Sequence, residues 1–142
     1  MYSKPWIYLA GKITHNDWRR CIVPQFPDTV PGTPIELSHF TFSGPYTSQS
    51  NQPRDQIPHH CRQWIERAHL LYAWIDDPTC YGTLVEIGWA HMLRMPVYIA
   101  FATQELADEM WFPTRGPRTQ SSIHSDPQTG LNKALEWIGA CQ

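Results

Sequence analysis

Apolar residues in this chain fall into short dense runs separated by polar, proline-rich stretches. Trp6-Ile7-Tyr8-Leu9-Ala10, closed by Gly11, is a continuous apolar run of strand length. His69-Leu70-Leu71-Tyr72-Ala73-Trp74-Ile75, broken by Asp76-Asp77-Pro78-Thr79, is a second, and Val97-Tyr98-Ile99-Ala100-Phe101, after Pro96, a third. Such runs, without polar alternation, are the strands of parallel sheets covered on both faces. Ile35 to Phe42 alternates well enough for a further strand. Helical signatures lie between them. Thr14-His15-Asn16-Asp17 supplies capping residues for a short helix that stops before Pro24. Another helix begins around Asp55 and ends with Gln63-Trp64-Ile65-Glu66-Arg67-Ala68, and a third spans Thr83 to about Arg94. The segment from Leu106 to Phe112 is mixed, Pro113 to Pro127 is polar, and an amphipathic helix over Leu131 to Ile138 comes last.

Strands alternating with helices predict an α/β domain with a Rossmann-like parallel sheet and helices on both faces. No repeat and no linker divides the chain, so residues 1–142 are expected to form a single domain. A Pro-rich loop insertion at about 43–58 interrupts it, of a length that fits a functional loop as well as a solvated one. In such sheets ligands bind beyond the carboxyl ends of the strands. Three strand ends qualify: Ala10-Gly11-Lys12, Asp76-Asp77 and the turn after Phe101. The first two are chemically dense.

Composition narrows the partners. The chain is 42% hydrophobic with 7 Trp, 6 Tyr and 5 Phe, enough for one substantial core. With 11 Lys and Arg against 13 Asp and Glu there is no basic field to hold a phosphate backbone, which argues against a nucleic-acid polymer as partner. No apolar run approaches the ~20 residues of a membrane span, and Met1-Tyr2-Ser3-Lys4-Pro5 lacks the apolar core of a signal peptide, so a cytoplasmic protein with no membrane partner is expected. The four cysteines form no CxxC pair, and His59-His60-Cys61 lacks the spacing of a ligand set, so no metal is expected. Gly11-Lys12 fits neither the GxGxxG nor the P-loop pattern, and no cofactor is expected.

The densest chemistry runs from Asp76 to Gly88. If Gly82 or Thr83 caps the helix, Glu86 lies in its first turn, where the helix dipole favours the carboxylate by ~0.3–1 kcal/mol. An ionised carboxylate at a strand-end cleft is a competent nucleophile toward an electrophilic carbon. A glutamate there also reads simply as a capping residue. Tyr8 shares one strand face with Trp6 and Ala10, and its buried hydroxyl needs a partner. The Glu86 carboxylate would serve, and so would a backbone carbonyl. Cys80 near the helix start is a rival nucleophile if its thiol is acidified, though no paired base is identifiable. Tyr46 and the tryptophans read as core residues or as platforms on which a base stacks.

The pairing of Ile7-Tyr8-Leu9-Ala10-Gly11-Lys12-Ile13 with Tyr81-Gly82-Thr83-Leu84-Val85-Glu86-Ile87-Gly88-Trp89-Ala90 resembles the nucleoside 2-deoxyribosyltransferase family. That family's relatives include the 2'-deoxynucleoside 5'-phosphate N-hydrolases. The resemblance covers most of residues 6–101 and rests on two short blocks. It implies a flavodoxin-like fold and cleavage of the N-glycosidic bond of a 2'-deoxynucleoside. On this analogy Glu86 is the nucleophile that forms a covalent deoxyribosyl-enzyme, and Tyr8 positions it. Transfer to another nucleobase, or to water, completes the reaction. Asp76 or Asp77 would protonate the departing base, unless Asp-Asp-Pro merely forms a turn. Gly11, Lys12, Asp77, Cys80, Gly82, Thr83 and His60 would contact the nucleoside or nucleotide substrate. The transferases tend to carry Asp, and the phosphate hydrolases Ser, where this chain has Cys80. The family's acidic residue on the preceding helix falls where this chain reads His59-His60-Cys61. A homo-oligomer is implied as well. A module that binds nucleotides without turning them over is the alternative of a different class.

Overall fold

A computed structural model describes residues 4–26, 28–46 and 53–140 of the chain. Six strands form one sheet: β1 (Trp6–Gly11), β2 (Ile35–Glu36), β3 (Thr41–Phe42), β4 (Leu70–Ile75), β5 (Val97–Phe101) and β6 (Thr119–Ile123). Their spatial order is β2-β3-β1-β4-β5-β6. All neighbours run parallel except β2, which pairs antiparallel with β3. Leaving β2 aside, the parallel strands follow the flavodoxin-like order 2-1-3-4-5. The chain therefore has the expected α/β fold.

Helices α1 (Ile57–Arg67), α2 (Tyr81–Met92), α3 (Gln104–Glu109) and α4 (Pro127–Ala140) connect and cover the strands. Register shows that two of them lie on opposite faces. Tyr8 stands opposite Leu71 and Leu9 opposite Tyr72, so Tyr8 and Tyr72 project to different sides. Tyr8 donates to Glu86 on α2, while the Tyr72 hydroxyl donates to the carbonyl of Pro127 at the start of α4. All six residues of β4 are buried, and so are all five of β5. This is why those runs carry no polar alternation.

Several boundaries differ from expectation. Ile35 to Phe42 is a hairpin, not one strand: Ile35 faces Phe42 and Glu36 faces Thr41 across the turn. The helix expected after Asn16 is one 3-10 turn, Trp18–Cys21. The polar stretch between Pro113 and Pro127 contains β6, an edge strand whose side chains are half-buried or exposed. The mixed segment resolves into α3, and α4 starts four residues earlier than expected. Of the Pro-rich insertion, residues 47–52 lie outside the described residues. Tyr46 is buried against Phe42 and Trp64, with ring centroids 5.4 and 4.7 Å away, so it serves the core. No helix among the described residues is long and apolar enough to cross a membrane.

Candidate active site

The parallel order reverses between β1 and β4, and a crevice opens beyond their carboxyl ends where the chain departs to opposite sides. It is a cleft of about 390 Å³, within the ~300–1,000 Å³ range of small-molecule sites. Gly11 and Lys12 bring in the end of β1, and Thr79 and Cys80 the loop after β4. Gly82, Thr83 and Glu86 on α2 and Cys61 on α1 complete the chemical lining.

Tyr8 and Glu86 form the centre. Tyr8 is fully buried, and its hydroxyl donates to Glu86 Oε2. Its ring packs on Gly44, where a Cβ would lie 3.1 Å from the ring and where φ is +120°, so a glycine is required beside it. Glu86 is half-buried. It lies in the second turn of α2, not the first, because the helix starts at Tyr81 with Cys80 as its cap. The helix dipole thus acts on it less than expected. Burial pushes the Glu86 carboxyl up to about 7, opposed by hydrogen bonds from Tyr8 and Cys61 and by the charge of Arg19. The expectation of a carboxylate held ionised by the dipole is corrected. This group is poised between its two protonation states at neutral pH.

Two contributors escaped the sequence reading. Arg19 is fully buried and pairs with Asp17, its Nη1 lying 2.9 and 3.0 Å from the two carboxylate oxygens. Its Nε donates to the carbonyl of Leu9 at 2.8 Å and its Nη2 to that of Gly11 at 2.7 Å, fixing the end of β1. Cys61, on α1, lines the same cleft as Glu86, and burial, with the Glu86 charge adding to it, pushes its thiol up to about 11. Its only signal in the sequence was its place three and four residues before the buried Trp64 and Ile65, which puts all three on one helical face.

Lys12 bonds Thr79 Oγ1 at 2.5 Å and pairs with Asp77 at 3.2 Å. Asp77 accepts from the Thr79 N–H and hydroxyl, and these bonds, with help from Lys12, hold its carboxyl down at about 2. Asp77 is therefore an anion that braces Lys12 and holds no proton for a departing base at neutral pH. Asp76 is exposed beyond β4 and does not line the cleft. Neither does half-buried His60, whose ring lies 6.0 Å from that of Trp64. Cys80 lines the cleft but is buried, and burial raises its thiol, so it is not the acidified nucleophile considered above. No group of three or more His, Cys, Asp or Glu suited to a metal ion occurs among the described residues.

No protein-family model and no curated protein matches the chain.

Proposed function

We propose that this protein cleaves the N-glycosidic bond of a 2'-deoxynucleoside through a covalent glycosyl-enzyme on Glu86. It then passes the deoxyribosyl group to another nucleobase. The observation that carries this reading is the Tyr8–Glu86 hydrogen bond at a strand-end cleft of small-molecule size. A binding module has no need of a carboxylate that is desolvated, oriented and open to a ligand at once.

In this reading a Glu86 oxygen attacks the anomeric carbon as the bond from that carbon to the base nitrogen breaks. The electron pair leaves with the base, which takes up a proton. The proton comes from water, since Asp76 is exposed and does not line the cleft. An acceptor base then attacks the anomeric carbon from the face the first base left, giving up its ring N–H proton to water and freeing the Glu86 carboxylate, with retention overall. Water in place of the acceptor gives hydrolysis. Tyr8 and Arg19 favour the ionised carboxylate that the attack requires, against the burial that opposes it. The resemblance also carries the proposal that a second copy of the chain completes the working protein.

The test incubates the protein with 2'-deoxynucleosides and their 5'-monophosphates, with and without a second free base, and separates the products by chromatography. A new nucleoside formed only with the acceptor base is expected, and Glu86→Ala should abolish it. Free base released alike with and without acceptor would make the protein a hydrolase. An active Glu86→Ala, or no turnover of any substrate, would remove the reading.

A further inference from the structure

A separate pocket of about 500 Å³ lies between α3, the 3-10 turn Phe112–Arg115 and β6, and shares no lining residue with the Glu86 cleft. Its size is that of a small-molecule site. Thr119 and Ser121, alternate residues of β6, form part of its wall. Arg115 lines it from the turn and Asp108 from α3. Neither has an ion-pair partner among the described residues, and they do not pair with each other. Asp108 Oδ1 accepts from Gln104 Nε2 at 2.8 Å, and Oδ2 has no partner among the described residues. Trp111 lines the same pocket at 55% exposure, its ring braced edge-on by Phe112 at 5.7 Å. The backbone that carries Trp111 and Arg115 is pinned. The Thr114 N–H and hydroxyl both donate to the Trp111 carbonyl, at 3.1 and 2.5 Å. His91 Nε2 donates to the carbonyl of Pro113 at 2.7 Å, which ties the turn to α2. Gly116 packs so closely after the turn that a Cβ there would lie 2.1 Å from the His91 ring.

A cation and a carboxylate that line one pocket without pairing complement a ligand that carries both charges. A simple anion would meet Asp108 as a like charge, and a simple cation would meet Arg115. An ammonium and a carboxylate on one carbon occur together in a free α-amino acid, whereas a peptide holds its two termini apart. The half-open indole of Trp111 offers a flat apolar face, which suits an aromatic side chain. We propose that this pocket binds a free aromatic α-amino acid, with its carboxylate on Arg115, its ammonium on Asp108 and its ring on Trp111. The site is distinct from the Glu86 centre, and the proposal stands whether or not that centre acts on nucleosides.

The experiment titrates 15N-labelled protein with L-phenylalanine and follows the Trp111 indole N–H by NMR, the signal being assigned through Trp111→Phe. A saturable shift of that signal is expected. L-Phenylalaninamide, which lacks the carboxylate, and N-acetyl-L-phenylalanine, which lacks the ammonium, should each bind about tenfold more weakly or worse. Arg115→Gln should weaken L-phenylalanine by about the same factor and leave the amide unchanged, since the amide has no carboxylate to lose. Asp108→Asn should do the same to L-phenylalanine and leave the acetyl compound unchanged. Both side chains are exposed, so neither change threatens the fold. A Trp111 signal that L-phenylalanine does not move would overturn the proposal. So would an amide or acetyl compound that binds as tightly as the amino acid, or an Arg115→Gln variant that weakens amino acid and amide alike.

Discussion

At the scale of single residues, Glu86 sets fold and chemistry against each other. A folded value of about 7 against an ordinary 4.5 means the unfolded chain ionises first as pH rises. Glu86 thus contributes its full share of stability below the unfolded value, loses it between 4.5 and 7, and at higher pH costs about 3 kcal/mol. Glu86→Gln keeps an acceptor for Tyr8 and cannot ionise. It should raise stability at pH 8 by about 1–3 kcal/mol and change it little at pH 4. Urea unfolding at both pH values measures this, and equal effects at the two would contradict it. The Tyr8–Glu86 pair was legible in the sequence because strand parity and burial demanded a partner for the hydroxyl. Cys61 and Arg19 were not, since nothing in a sequence says which groups from remote elements gather at the same strand end.

Among elements, β1 carries the most. Its carboxyl end must stop at the cleft floor, and Arg19 fixes it there by binding the carbonyls of Leu9 and Gly11. Gly11 allows the close fit: a Cβ there would sit 2.8 Å from Trp18 Nε1 and 3.0 Å from the carbonyl of Trp74. Arg19→Met should cost about 3–5 kcal/mol, because it strands the buried Asp17 charge and leaves two strand carbonyls without their donor. A loss under about 1 kcal/mol in denaturant unfolding would count against this account. The same arrangement explains the failed helix prediction. The capping by Asp17 was real, since its side chain accepts from the Arg19 N–H, but Arg19 turns inward to β1 and the coil ends after one turn. The central strands were readable because burial on both faces makes their sequences uniform. β6 was not, because an edge strand reading Thr-Gln-Ser-Ser-Ile looks like a loop.

For the whole molecule, the strand order puts the reversal between β1 and β4, so the cleft follows from topology before any side chain is considered. The surface beside it is unusual. Tyr81, Val85 and Met92 lie along one side of α2 and are 70%, 51% and 84% exposed, with Ile57 at 43% across from them. An apolar stripe so open is costly in water, which supports the proposed second copy. Light scattering should return a mass above that of one 16.5 kDa chain, and Met92→Glu should lower it. A native monomer would count against the assembly.

The order of these pieces along the chain has a consequence for how the protein is made. Among the described residues the cleft lining draws on nothing beyond Trp89, yet β5 begins at Val97 and β6 ends at Ile123. As the polypeptide leaves the ribosome, every chemical group has emerged while β4, apolar on both faces, still waits with its second edge bare. The interval before β5 arrives is the one in which a nascent chain can pair with the wrong neighbour. Susceptibility to misassembly during synthesis is therefore governed by the span from Ile75 to Phe101 and not by the reactive centre.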